Sequence, residues 1–267
     1  MVEDAAQTND PPRPNSGIFS EQDVTNGQWT PETVLSTLSE KPAAHTSSPV
    51  AFFHILERLK TTKREGWRRF GIERGESIAD HMYRMSILTM LAPPSLASRL
   101  NVPHCTRMAL IHDMAESLVG DITPVDNVAK PEKSRREEAT MDYLCRDLLG
   151  KVGGGLSGEE IRKVWQEYED NETLEAKFVH DIDKMELILQ MVEYERSLQG
   201  AVDLGEFTWV ATRIELPEVK EWCEAAMQER QRFWEDAEKT PTDYSKGENI
   251  SKEKKEQSEG YYGNGTA

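Results

Sequence analysis

Two adjacent residues, His112 and Asp113, sit inside an apolar run from Met108 to Glu116. An imidazole and a carboxylate buried side by side each need a partner, because an unpaired buried polar group costs several kcal/mol. A divalent cation satisfies both. His81 lies upstream in Glu76-Ser77-Ile78-Ala79-Asp80-His81, and His180-Asp181-Ile182-Asp183 lies downstream. Imidazole nitrogen and carboxylate oxygen are borderline to hard ligands that suit Mn, Fe, Co, Ni, Zn or Mg, and a donor set without cysteine is not a structural thiolate zinc site. Two His and two Asp leave coordination positions open. Water in such a position loses a proton near neutral pH, its pKa falling from about 15.7 toward ~7 in the best cases, while the ion polarises a phosphoryl oxygen. Together those two capacities make a phosphomonoesterase.

The fourth ligand must be chosen between two aspartates. Asp181 and Asp183 point about 200° apart around a helix, so they cannot share a site. Asp183 shares a face with Val179 and Leu187, beside the apolar stripe; Asp181 points nearer Lys177 and Lys184. Asp183 is therefore the expected ligand, with His180 either behind it or at the surface.

The elements that must hold these residues are helices. Phe52, Ile55, Leu56 and Leu59 recur at helical spacing. Asp80 to Leu91 reads as a helix stopped by Pro93-Pro94, and a short one from Ser95 to Leu100 follows. Pro103 to Val119 reads as one continuous helix ended by Gly120. Asp121 to Val128, with Pro124, is a loop; Pro131 to Leu149 is a helix with a charged face. The five glycines between Gly150 and Gly158 make a connector, not a phosphate loop, since no Gly-Lys-Ser/Thr ending follows. Ser157 to Tyr168 is a further helix. A long helix capped at Asn171 or Thr173 runs to Ser197, its stripe being Leu174, Phe178, Ile182, Met185, Leu189 and Val192. Pro217 to Ala237 closes an all-α chain without strand runs or repeats.

The wording around the polar residues resembles a known family. Glu76-Ser77-Ile78-Ala79-Asp80-His81, His112-Asp113-Met114-Ala115-Glu116 and Gly120-Asp121-Ile122-Thr123-Pro124 are similar to motifs of the HD-domain metal phosphohydrolases, and among them the HD-domain 5'-deoxynucleotidases, over residues 50 to about 235. The resemblance implies a single HD-domain helical bundle with His81, His112, Asp113 and Asp183 as metal ligands. It implies hydrolysis of deoxyribonucleoside 5'-monophosphates by metal-activated water, with Mn, Co or Mg as cofactor, and a homodimer. It assigns Glu116 and Asp121 to the active site. Glu116 lies one turn after His112 and could act as general base; Asp121 could orient the water or touch the sugar. The same two carboxylates, with the Ile122 carbonyl, could hold a second, Mg-like cation in an oxygen-only site. Arg64 and Trp67 resemble the family's phosphate and sugar sensors, with extra residues between the two here, and Thr123 joins them as a substrate contact. Arg64 would grip phosphate with its fork of donors, and Trp67 would crowd the 2' position. Seen alone, Trp67 is equally a core aromatic, and Glu116 and Asp121 an exposed helix residue and a turn residue.

Composition sets the outer limits. The chain has 267 residues and a net charge of −16, which excludes a global basic footprint for a nucleic-acid polymer. Lys60, Lys63, Arg64, Arg68, Arg69 and Arg74 form the main basic patch, which read alone is a solvated helix face; Lys130, Lys133, Arg135 and Arg136 are read the same way, or as a cover for the pocket or a contact with a partner protomer. Residues 1–48 and 238–267 are poor in apolar residues and are expected to be disordered arms around a domain at 49–237. Three separated cysteines make no disulfide framework and suit a cytoplasmic, or also nuclear, location. No signal peptide or membrane span is expected. Two other functions stay open at this level: an HD phosphohydrolase acting on a triphosphate or cyclic dinucleotide, and a non-catalytic metal-binding interaction module.

Overall fold

The computed structural model describes residues 29–123, 126 and 128–247. The helices run in chain order as α1 (Pro31–Leu35), α2 (Val50–Leu56), α3 (Arg58–Thr61), α4 (Glu65–Arg68), α5 (Ile78–Met90), α6 (Pro94–Ala97), α7 (Val102–Ala109), α8 (Glu116–Val119), α9 (Lys130–Asp142), α10 (Leu156–Asp170), α11 (Leu174–Ser197) and α12 (Pro217–Asp236). A π-helical stretch, Tyr143–Leu148, continues α9, and a 3-10 stretch, Gly205–Arg213, precedes α12. Among the described residues the only β pairing is an isolated bridge between Lys63 and Ser77. The fold is all-α.

The long helix α11 is the axis of the bundle. The Thr173 side chain caps it by accepting the Ala176 N–H at 3.1 Å. Its sides pack against α5, α7, α12 and the 3-10 stretch. Phe178, Ile182, Ile188 and Met191 are fully buried along it. Near its C-terminal end, buried Glu195 accepts from Arg230 Nε at 2.8 Å, Trp234 Nε1 at 2.8 Å and the Leu204 N–H at 2.9 Å, locking α12 onto α11.

The expected continuous helix from Pro103 to Val119 is broken. α7 stops at Ala109, and the next turns close through three-residue hydrogen bonds, Ile111 N–H to Met108 O, Met114 N–H to Ile111 O and Glu116 N–H to Asp113 O, each 3.0 Å. Burial of Ile111, Ala115 and Leu118 holds these tight turns. They carry His112 and Asp113 together to the site.

Both arm boundaries move outward. Trp29, Val34 and Leu35 are buried in the main core, and Arg135 Nη2 donates to the Trp29 carbonyl at 2.8 Å. Three apolar side chains suffice because they fill a groove beside α8 and α9. At the other end, Thr242 N–H donates to Asp203 at 2.7 Å and Tyr244 N–H to Thr208 Oγ1 at 2.7 Å. The close approach needs a glycine: a Cβ on Gly205 would lie 1.9 Å from the Thr242 carbonyl oxygen. The expected disorder of residues 1–28 and 248–267, and the placement of Pro124, lie outside the described residues.

Candidate metal centre and active site

The start of α5 fixes His81. Ser77 Oγ accepts the Asp80 N–H at 3.1 Å, and the Asp80 carboxylate accepts the Ser77 N–H at 2.8 Å, a reciprocal cap. His81 follows at once and is completely buried. His112 and Asp113 arrive from the turns after α7, and Asp183 from the middle of α11. His81 Nε2 lies 3.1 Å from Asp183 Oδ1 and 3.8 Å from Asp113 Oδ2, and His112 Nε2 lies 3.2 Å from Asp113 Oδ2. The ligand atoms of His81, His112 and Asp113 fall within 4.8 Å of one another. Asp113 and Asp183 keep 18 and 27% of their side chains exposed, so the cluster opens to solvent on the carboxylate side.

Hydrogen bonds on the far side of each ring set the tautomers. His112 Nδ1–H donates to the Ala109 carbonyl at 3.0 Å, and His81 Nδ1–H donates to Glu186 Oε2 at 2.6 Å. Both Nε2 atoms are buried and lack a hydrogen-bond partner. Two inward-facing imidazole lone pairs beside two carboxylates are the donor set of a divalent cation, so the residues fit such an ion. Without a cation the cluster holds a proton instead. Burial and nearby Arg64 oppose that charge, but Glu186 and Asp183 raise the His81 pKa to about 10. Burial raises the Asp183 and Asp113 pKa values, yet the adjacent histidines outweigh it and hold both below the usual carboxylate range.

Glu186 carries no role in the sequence reading, although it lies one turn beyond Asp183. It is fully buried and accepts from Arg84 Nε at 2.9 Å and Nη2 at 2.6 Å. Burial would raise its pKa, but His81 and Arg84 lower it to about 2. The spacings His81 to Arg84 and Asp183 to Glu186 are each three residues, a helical-face signal present in the sequence.

The two aspartates of α11 lie in different surroundings. Asp183 faces His81. Asp181 is buried elsewhere and accepts the N–H groups of Glu215 and Leu216 at 3.0 and 2.7 Å, fixing the entry to α12. His180 is not among the cluster: its Nε2–H donates to the Tyr168 carbonyl at 2.9 Å, and its ring stacks on Tyr168 at 3.9 Å. Burial and Lys184 lower its pKa to about 4. Tyr168 in turn packs on the His112 ring at 4.9 Å.

Glu116 and Asp121 lie buried next to the cluster, not exposed. Glu116 Oε2 lacks a hydrogen-bond partner. Burial, then Asp113 and Asp121, raises the Glu116 pKa well above the ordinary value. Asp121 Oδ2 accepts the Glu65 N–H at 2.7 Å, and burial raises its pKa too. Ile122 is buried between Asp121 and Thr123; the Thr123 N–H and hydroxyl both donate to Asp126 at 2.6 Å. Arg64 Nη1 approaches Asp113 Oδ2 at 3.6 Å, so the expected phosphate contact reaches the cluster. Trp67 does not. It is 2% exposed, wedged against Tyr194 and Phe207, with Nε1–H donating to Glu76 Oε1 at 2.8 Å. Glu76 stands between Trp67 and His81, and burial followed by Glu186 raises its pKa to about 7.

Two helices and the tight turns after α7 thus bring His81, His112 and Asp113 together, with Asp183 beside them, as a group able to hold a metal ion. The chain belongs to the HD-domain family, whose model matches residues 56–222. Among its relatives is the 5'-deoxynucleotidase hdd1 of Schizosaccharomyces pombe, 51% identical over 72% of this chain and 95% of that protein. Another is the 5'-deoxynucleotidase YBR242W of Saccharomyces cerevisiae, 42% identical over 78% of this chain and 87% of that one. The solved structure of the HD domain-containing protein YGK1 superposes with a TM-score of 0.57 at 34% identity, covering 78% of this chain and all of its own.

Proposed function

We propose that this protein is a metal-dependent 5'-deoxynucleotidase that hydrolyses deoxyribonucleoside 5'-monophosphates to deoxynucleoside and phosphate. The observation that carries the reading is the pair of buried, partnerless Nε2 atoms of His81 and His112, set against Asp113 and Asp183. The named activity of the relatives supports the substrate class.

His81, His112, Asp113 and Asp183 would hold Mn, Co or a similar ion, which when bound acidifies water and polarises a phosphoryl oxygen. The rest is done by the chain. Arg64 neutralises and orients the phosphate from beside Asp113. Glu116, a buried carboxylate with an unsatisfied oxygen, takes the proton of the attacking water. Water oxygen bonds to phosphorus, the bond from phosphorus to the 5' oxygen breaks, and that oxygen takes up a proton from solvent while Glu116 gives its own back to solvent. Asp121, pinned by the Glu65 N–H, orients the water or the sugar, and Thr123 lies at the rim of the same loop. Glu116, Asp121 and the Ile122 carbonyl would hold a second, Mg-like ion, for which oxygen ligands are suited. Trp67 does not meet the sugar: its ring is buried, and its Nε1–H holds Glu76.

The test is phosphate release from dAMP, AMP and dATP with Co, Mn or Mg. Turnover of dAMP alone is expected. Release from dATP would move the protein to the triphosphate class, and metal uptake without any turnover would make it a binding module.

A further inference from the structure

We propose that a cavity between α5, α11 and the segments before α5 binds a small phosphate-bearing anion, apart from the metal centre. The basic run of the sequence supplies it, because packing sorts that run by partner. Arg64 reaches Asp113. Arg68 pairs with Glu65 at 2.7 Å, and Arg69 pairs with Glu206. Lys63 and Arg74 make no side-chain ion pair or hydrogen bond among the described residues, and both line one cavity of about 410 Å³. Arg84 of α5 and, one turn apart on α11, Gln190 and Tyr194 line it with them. Backbone direction separates this cavity from the metal cluster. Thr62 and Arg64 are extended, and Lys63 between them pairs with Ser77 in the isolated antiparallel bridge. Successive side chains of an extended segment point to opposite faces. Arg64 thus serves the cluster, and Lys63 serves the cavity.

The lining offers donors, while its acceptors are engaged. Glu76 Oε1 accepts from Trp67 Nε1 at 2.8 Å, and Asp80 Oδ2 accepts from the Ser77 N–H and hydroxyl at 2.8 and 2.7 Å. Gln190 Oε1 accepts from Arg84 Nη2 at 2.7 Å, and the Tyr194 oxygen accepts the Glu76 N–H at 2.7 Å. The Gln190 amide N–H groups and the Tyr194 hydroxyl proton donate to no described residue. Arg84 Nη1 pairs with Glu193, whose side chain is 52% exposed. An exposed pair contributes little, so an incoming anion can replace Glu193 while Arg84 Nε and Nη2 stay on Glu186. Lysine and arginine can only donate, and a cavity where three of them meet two neutral donors suits a ligand made of acceptor oxygens. A phosphate group has that chemistry, and arginine matches its geometry. The volume lies within the range of small-molecule sites, roughly 300–1,000 Å³, which leaves room for a small organic group on the phosphate.

The site uses neither the metal ligands nor the substrate assignment, and its readout is binding, not turnover. Calorimetric titration of the full, manganese-loaded chain with methylphosphonate, which has no ester bond to cleave, is expected to show binding that persists in Asp183→Asn. The metal content of that variant is measured separately, so a failure of the metal assignment is seen apart from a failure of this one. Lys63→Glu with Arg74→Glu is expected to lose the persisting binding, with the helical circular dichroism retained. Lys60→Glu with Lys151→Glu makes the same change of charge at two exposed residues outside the cavity and is expected to keep it. No binding in Asp183→Asn, binding retained by the cavity variant, or equal loss in the control pair would each overturn the proposal. Should the charge-reversed cavity variant fail to fold, the neutral pair Lys63→Gln with Arg74→Gln decides, and retained binding there overturns the proposal. Titration with inorganic phosphate then separates the two sources of the group: tighter binding of methylphosphonate assigns a monoester, and tighter binding of phosphate the free ion.

Discussion

His81 Nδ1–H donates to Glu186 Oε2 across 2.6 Å, with both side chains shut off from solvent. That bond leaves Nε2 as the lone pair facing Asp113 and Asp183, and Arg84 holds Glu186 in place. Substituting a group that orients a metal ligand typically weakens metal binding about 10–100-fold. Glu186→Gln is expected to fall in that range for Mn or Co in a chelator competition titration. Unchanged affinity would mean that Glu186 is only a packing residue.

Metal uptake should release a proton. In the metal-free chain His81 is charged below pH 10, because Glu186 and Asp183 outweigh burial. A cation entering at pH 7.5 replaces that proton, so affinity drops about tenfold for each unit of pH lowered while one proton is displaced. Calorimetry in buffers of different ionisation enthalpy measures the number released. Zero protons at pH 7.5 would contradict the His81 environment described above.

The two aspartates of α11 should separate cleanly. Asp183→Asn is expected to abolish both metal binding and phosphate release. Asp181→Asn is expected to keep the metal while lowering the melting temperature, since Asp181 binds the Glu215 and Leu216 N–H groups. Loss of metal in the Asp181 variant would reverse the assignment.

Glu116→Gln is expected to retain the first metal and lose turnover by about 10²–10⁴-fold, the usual contribution of a general base. Burial and the Asp113 and Asp121 charges raise the Glu116 pKa, so the base is ionised only on the alkaline side of the ordinary carboxylate range. Wild-type activity should therefore rise with pH through that limb, and any residual activity of the variant should lack it. Normal turnover in the variant would remove Glu116 from the mechanism.

Away from the site, Glu195→Ala strands the buried Arg230 guanidinium and the Trp234 N–H. Removing one partner of a buried pair costs roughly 3–5 kcal/mol. Denaturant unfolding of the metal-loaded protein measures it, and a loss under about 1 kcal/mol, the scale of an exposed pair, would mean water reaches the cluster.

The sequence alone determined the all-helical class and picked out the polar residues that the fold brings together. Helical periodicity is a local property, and His81, His112-Asp113 and Asp183 are polar residues placed where apolar ones belong. The sequence also separated Asp183 from Asp181, because residues two apart on a helix point about 200° away from each other. What only the tertiary structure decided depends on side chains meeting from distant segments. Glu186 and Arg84 became a support for His81 when α5 packed on α11. Trp67 went into the core when Tyr194 and Phe207 closed over it. Trp29, Val34 and Leu35 look too sparse to order an arm, yet the groove that buries them exists only once α8 and α9 are in place. The break after Ala109 belongs with these, since burial of Ile111, Ala115 and Leu118 favours tight turns over the regular helix that local propensity predicts.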